Sequence, residues 1–253
     1  MTPSRLRKSL AGSDAMVYQA LVGNRTFFSS GADLDAHIGR LTSLRAPVWF
    51  VTLANDAVTD GTPNAVPVDA FSGWLRTIHS LSARSRVVAL HSDFAGLLAV
   101  VAGADTIGSG WDRGMRFFDP SSFRVTAPSP RRAASYVTQR GLMGVHRRVL
   151  AEDLDRLNPA WAAQLRPGPM PADEERARWH HLGVLRTLVD DISAQPTRRD
   201  RVQYLRTAYD DARANLSTVA ASIPRSISAA DVTAWVDQPF AALEDYARAE
   251  GLW

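Results

Sequence analysis

His91, Ser92 and Asp93 stand together where a valine-rich apolar run, Arg86–Leu90, gives way to a second one, Phe94–Ala102. An imidazole and a carboxylate in one loop are the residue types of general acid–base chemistry, in which one group moves a proton and the other orients it. Asp56, just after the run PVWFVTL (Pro47–Leu53), is a second carboxylate for that task. His91, Asp93 and Asp56 are therefore the candidate catalytic residues. The structural alternative is that Ser92 and Asp93 cap the following helix while His91 bonds a backbone carbonyl. Asn55, Ser109, Arg113 and Asn24 are the candidate ligand contacts, since each follows a run that reads as a strand. Gly108-Ser109-Gly110, with Arg113 nearby, could turn backbone N–H groups toward an anion. It lacks a full G-x-G-x-x-G, and a tight turn needing positive φ explains it equally well.

A separate cluster lies further on. Arg131, Arg132, Arg140, Arg147 and Arg148 fall in a stretch without a single acid, with Tyr136 and His146 among them. Contact with nucleic-acid phosphates is the functional reading, and a solvated helix face paired with acids elsewhere is the alternative. Asp190-Asp191 and Asp210-Asp211 lack the further acid one turn on that a magnesium site on facing helices needs, so salt-bridged helix faces are expected. His180 and His181 are adjacent, hence about 100° apart on a helix, and cannot share a metal face. No metal and no cofactor is implied. Trp161, Trp179, Trp235 and Tyr246 read as core anchors between helices.

The elements that must position these residues come in two sets. Up to about residue 126 the pattern alternates. Met16–Val22 reads as a strand or a helical turn, Asp33–Leu44 as a helix capped by Ser30 or Asp33, and Pro47–Leu53 as the clearest strand. A long polar loop covers Ala54–Pro67. A helix follows over Asp69–Ser82, then strand Arg86–Leu90, helix Phe94–Ala102 and strand Asp105–Ile107. Such β-α-β-α-β-α-β alternation predicts an α/β fold with a short parallel sheet, in which ligands bind beyond the carboxyl ends of the strands. His91, Asp93, Asp56, Asn24, Asn55, Ser109 and Arg113 would all open onto that one rim. After Arg131 no further strand is expected. Helices are predicted over Ser135–Leu157, a short piece from Pro159, Ala172–Ser193 with Asp173, Glu174 and Glu175 in its first turn, Arg198–Ala221 behind a capping box of Thr197 with Asp200, and a last one started by Ser228 with Asp231 and kinked at Gln238-Pro239. The expected organisation is a frayed 1–15, an α/β unit over 16–127 and an all-helical region over 128–253.

The stretch Val87–Phe117 resembles the closing strand-helix-strand of a (β/α)-barrel. Its small residues AVVAGAD, then a strand, an aromatic and Arg113, are similar to the end of the tRNA-guanine transglycosylase barrel. The resemblance implies a barrel-like, half-barrel or partial TIM-barrel topology and a transglycosylase-like reaction. The zinc cysteines of that family are missing, and no catalytic residue carries over.

The totals bound the rest. A chain of 253 residues with 45% apolar content can bury a sizeable core. It has no cysteine, which excludes disulfides, thiolate metal sites and thiol catalysis. No apolar run reaches the roughly 18 residues of a membrane span, and the basic N-terminus lacks the apolar segment of a secretory signal, so the cytoplasm is expected. Net charge is +3, and of the 29 basic residues only Lys8 is lysine. Arginine in place of lysine throughout explains this as well as phosphate binding does. Three functions follow: an enzyme, or degenerate enzyme, taking a phosphate- or nucleobase-bearing ligand at the sheet rim; a nucleic-acid-binding accessory using 131–148; or a helical protein-interaction module. Open sheet edges predict cover by the helical region, by a second copy in a homo-oligomer or by a larger complex.

Overall fold

A computed structural model describes residues 17–55, 58–59, 62–63, 66–111, 113–120 and 135–253. Among the sites expected from sequence, Asp56, Arg131, Arg132 and the side chain of Arg113 lie outside this set.

The first half is the predicted α/β unit. Strands β1 (Gln19–Gly23), β2 (Val48–Leu53), β5 (Arg86–Ala89) and β6 (Thr106–Ile107) form one sheet in the order β1-β2-β5-β6. Every pairing in it is parallel. Between the strands run α1 (Arg25–Phe28), α2 (Ala32–Ser43), α3 (Val68–Ser82) and α4 (Ala95–Ala102). Because neighbours in the chain are neighbours in the sheet, right-handed crossovers put these helices on one face. Alternation along the strands agrees: Trp49, Val51, Val87 and Ala89 are buried, while Ala20, Phe50, Val88 and Thr106 between them are exposed or half-buried.

Several local expectations are corrected. Thr26-Phe27-Phe28 lies in α1, with the Asn24 side chain accepting from the Phe27 N–H at 3.0 Å. Helix α2 starts at Gly31, φ +60°, without a side-chain cap, because the Ser30 hydroxyl donates to the Phe27 carbonyl instead. The polar loop after β2 contains a two-stranded antiparallel ladder, β3 (Val58–Thr59) with β4 (Thr62–Pro63).

The second half is mostly helical, but it opens with a hairpin where a continuous helix was expected. β7 (Tyr136–Gln139) pairs antiparallel with β8 (Gly144–Arg147) across a 3-10 turn at Arg140–Leu142. Met143 takes φ +49° to close it. Val137 lies opposite His146 and Val145 opposite Thr138, so the two valines face opposite sides of the hairpin and both sides are buried. Then come α5 (Arg148–Leu157), α6 (Pro159–Leu165), α7 (Glu174–Ser193), α8 (Arg198–Ser222), α9 (Ala229–Val232), a π-helical turn (Thr233–Asp237) and α10 (Gln238–Ala249). The predicted capping boxes, Thr197 with Asp200 and Ser228 with Asp231, are both present. Asp173 caps α7 and is not part of its first turn.

Helices α7, α8 and α10 do not cover the sheet. They pack on the outer side of α3 and α4, giving sheet, inner helices and outer helices as three layers. Helix α4, AGLLAVVA, lies between two of these layers and is buried from Gly96 to Ala102, as its unbroken apolarity requires. One apolar core runs from Phe28 in α1 through α3 and α4 to Ala247 in α10. No helix of the described residues is long and apolar enough to cross a membrane.

Candidate functional site at the sheet rim

The βα loop after β5 carries the strongest local signal. His91 and Asp93 both adopt left-handed backbone conformations, φ +51° and +43°, on either side of Ser92. Non-glycine residues in this region are uncommon, though His and Asp are among the better tolerated. Two so close together mark a loop held in a costly shape by its surroundings. The expected caps are not used. The Ser92 hydroxyl donates back to the Ala89 carbonyl at 2.9 Å, and α4 begins without a side-chain cap.

The left-handed turns send the two ionisable side chains different ways. The His91 ring stays half-buried at the rim, its Nδ1 2.8 Å from the Met115 carbonyl and its face 5.6 Å from the Phe118 ring. Asp93 turns inward and is fully buried. Its neighbour is His181 of α7, whose Nε2 stands 3.2 Å from Oδ1. That is an ion-pair distance, but the angle is poor, and neither carboxylate oxygen has a hydrogen-bond partner among the described residues. No hydrogen bond joins Asp93 to His91. On its other side, His181 Nδ1 meets the Thr138 hydroxyl of β7 at 2.9 Å, and the Ser109 hydroxyl lies 3.4 Å from Nε2. Thr138, His181 and Asp93 thus form a buried polar line that ties the parallel sheet to the hairpin and to α7. All three side chains are sealed from solvent.

The open candidate is a cavity beside it. Asn55, His91 and Ser92 line one side and Gln238 and Pro239 the other, with walls from Phe71, Trp74, Phe94, Phe117 and Trp235. Its volume is about 40 Å³, enough for water and well below the several hundred Å³ typical of a ligand pocket. Three buried polar atoms at the cavity, Trp74 Nε1, Trp235 Nε1 and Gln238 Oε1, lack hydrogen-bond partners among the described residues. Buried polar groups are normally satisfied, and such orphans call for an explanation.

Trp235 reaches the cavity because Pro239 has no N–H for an α-helical bond to its carbonyl. The helix widens into the π turn at Thr233–Asp237 instead of kinking there. Gly144 of β8 makes room for the indole, since a Cβ there would come within 2.9 Å of the ring. Trp235 also meets the rings of Phe94 at 5.9 Å and Phe117 at 6.3 Å.

The remaining expected contacts sit apart. Asn24 is spent on its cap. Ser109 faces His181 and does not line the cavity. Neither Gly108 nor Gly110 has positive φ. Glycine is needed there for close packing, since a Cβ on Gly110 would fall 2.5 Å from the Met115 carbonyl. In the basic segment, Arg140 pairs with Asp191 at 2.7 Å and Arg148 donates to the Pro171 carbonyl at 2.7 Å. Three of the four paired acids meet partners: Asp191 also accepts from the Tyr204 hydroxyl, Asp190 faces Arg186 and Asp210 faces Arg213. Among the described residues no group of three or more His, Cys, Asp or Glu could hold a metal ion.

No protein-family model, curated protein or solved structure matches this chain. The site therefore has to be read from its own chemistry. Thr138, His181, Trp235 and Gln238 were missed as rim residues. One signal was available for His181: it is the polar member of an otherwise apolar helix face, Ala177, His181, Val184, Leu185 and Leu188. The other three reach the rim through long-range packing that no short sequence pattern encodes.

Proposed function

We propose that the rim cavity takes a small, planar, hydrogen-bonding ligand of the nucleobase class, with the chain acting as an enzyme or a degenerate enzyme on it. The single observation behind this reading is the pairing of aromatic walls with unsatisfied polar atoms. Trp74, Trp235 and Phe94 supply flat apolar faces, and Trp74 Nε1, Trp235 Nε1 and Gln238 Oε1 are donors and an acceptor without partners among the described residues. A heteroaromatic ring satisfies both needs, stacking on the indoles while exchanging hydrogen bonds at its edge. His91, with one ring nitrogen engaged by the Met115 carbonyl, is the group placed to trade a proton with such a ligand.

The closed cavity is too small for a base, so entry requires the π turn carrying Trp235 to move outward. Such turns recur at functional sites because they store an alternative helical register. The test is calorimetric and fluorescence titration of the protein with free purines, pyrimidines and their nucleosides. Saturable binding that quenches tryptophan emission, and that weakens at least tenfold in Trp235→Ala and in Gln238→Ala, supports the reading. No saturation at millimolar ligand, or binding indifferent to both substitutions, rejects it.

A further inference from the structure

The face of the sheet opposite α2, α3 and α4 carries no described element. All-parallel sheets are almost always covered on both faces, and among the described residues this one has its helices on a single side. Its side chains are in register: Ala20 lies opposite Phe50, Phe50 opposite Val88, and Val88 opposite Thr106. Ala20, Phe50 and Val88 make an apolar row across three strands that ends on Thr106, with Val22, 55% exposed, one step above Ala20 and opposite the buried Thr52. Both lateral strands, β1 and β6, also have an outer side that pairs with no described strand.

We infer that this face and these two edges are covered by a second copy of the same chain, which closes an eight-stranded parallel barrel. The topology selects that occupant. Four parallel strands in sequential order, wound in one sense with helices on one side, form an arc and not a doubly wound sheet, whose strand order would reverse. Two such arcs related by a two-fold axis place β6 of each copy beside β1 of the other, with all strands parallel. Both open edges are thereby satisfied in one self-complementary step. Eight strands is also the number at which inward side chains just fill the interior. Across the axis Phe50 would meet its own counterpart, as would Val88, while the small Ala20 leaves room beside them.

The four strands are five, six, four and two residues long and present roughly 270 Å² per face at ordinary strand spacings, so the apposed faces supply the centre of the interface and the paired edges its margin.

Light scattering after size exclusion tests this on the full chain. The expected mass is twice 27.6 kDa, falling to the single-chain value in Phe50→Glu with far-UV circular dichroism and Tm retained. Val22→Lys, at a more exposed position, repeats the test should Phe50→Glu fail to fold. The native chain contains no cysteine, so Ala20→Cys with Thr106→Cys should cross-link between copies through a short bismaleimide while either single substitution does not. A wild-type mass of one chain at 100 μM overturns the inference, as does a dimer that survives both charged substitutions.

Discussion

Asp93 and His181 are each nearly inaccessible to solvent, and they stand 3.2 Å apart. Removing one partner of such a buried pair strands the other, which costs about 3–5 kcal/mol, whereas replacing both by neutral groups is often close to neutral. His181→Phe should therefore lower the free energy of unfolding by roughly that amount. Asp93→Asn combined with His181→Phe should recover most of it. Urea midpoints for the two single variants and the double variant check this, and additive losses would show that the pair is not coupled. A second residue sets the acid limit. Burial of His146 in β8 takes its pKa down to about 4, with Asp231 pulling weakly in the opposite direction. A histidine lowered in the folded state is neutral in both states above pH 6.5 and costs nothing there. Between pH 6.5 and 4 the unfolded chain takes up a proton that the folded chain refuses, so stability falls as pH falls. At pH 4.5 the loss from this one residue is roughly 2–3 kcal/mol. Burial also lowers His79 and His180, which add to it in the same direction. Denaturation at pH 7 and pH 4.5 should show that His146→Leu loses less stability on acidification than the wild-type protein.

At the scale of elements, Gly73 shows how tightly α3 is seated. A Cβ at this position would fall 1.9 Å from the Phe28 carbonyl oxygen and 2.8 Å from Leu34 Cδ2. The first of these is backbone and cannot rotate away. Gly73→Ala should therefore cost about 3 kcal/mol by overpacking, despite alanine's better helix propensity, and a gain in urea midpoint would contradict it. The elements themselves were legible wherever periodicity and local chemistry agreed. PVWFVTL could hardly be anything but a covered strand, and both capping boxes follow from residues three apart. The hairpin Tyr136–Arg147 was not legible, because its apolar residues fit a helical count as well as a strand alternation and its turn uses Met143 in a left-handed conformation in place of a signalling glycine. The rim was legible as a place: β-α alternation locates His91 and Asn55 at strand ends. Its occupants were not. The left-handed turn that drives Asp93 inward and the π turn that brings Trp235 across depend on tertiary packing, which spacing alone does not report. Trp179, read as a core anchor, is 60% exposed and meets the Trp111 ring edge-on, 5.0 Å between centroids.

For the molecule as a whole, the apolar core passes without a break from sheet to outer helices, and the barrel-closing dimer argued above would add a second core on the bare side. Helix α4 belongs to both halves of the chain, buried on one side by its own sheet and on the other by α7 and α8. That placement has a consequence for biosynthesis. Ala95–Ala102 leaves the ribosome about seventy residues before Glu174, where α7 begins. At ordinary elongation rates of 5–20 residues per second the wait is roughly 4–14 s. During that interval the nascent chain displays its most oily segment with nothing to lay over it, which makes this the moment at which a holdase would earn its keep.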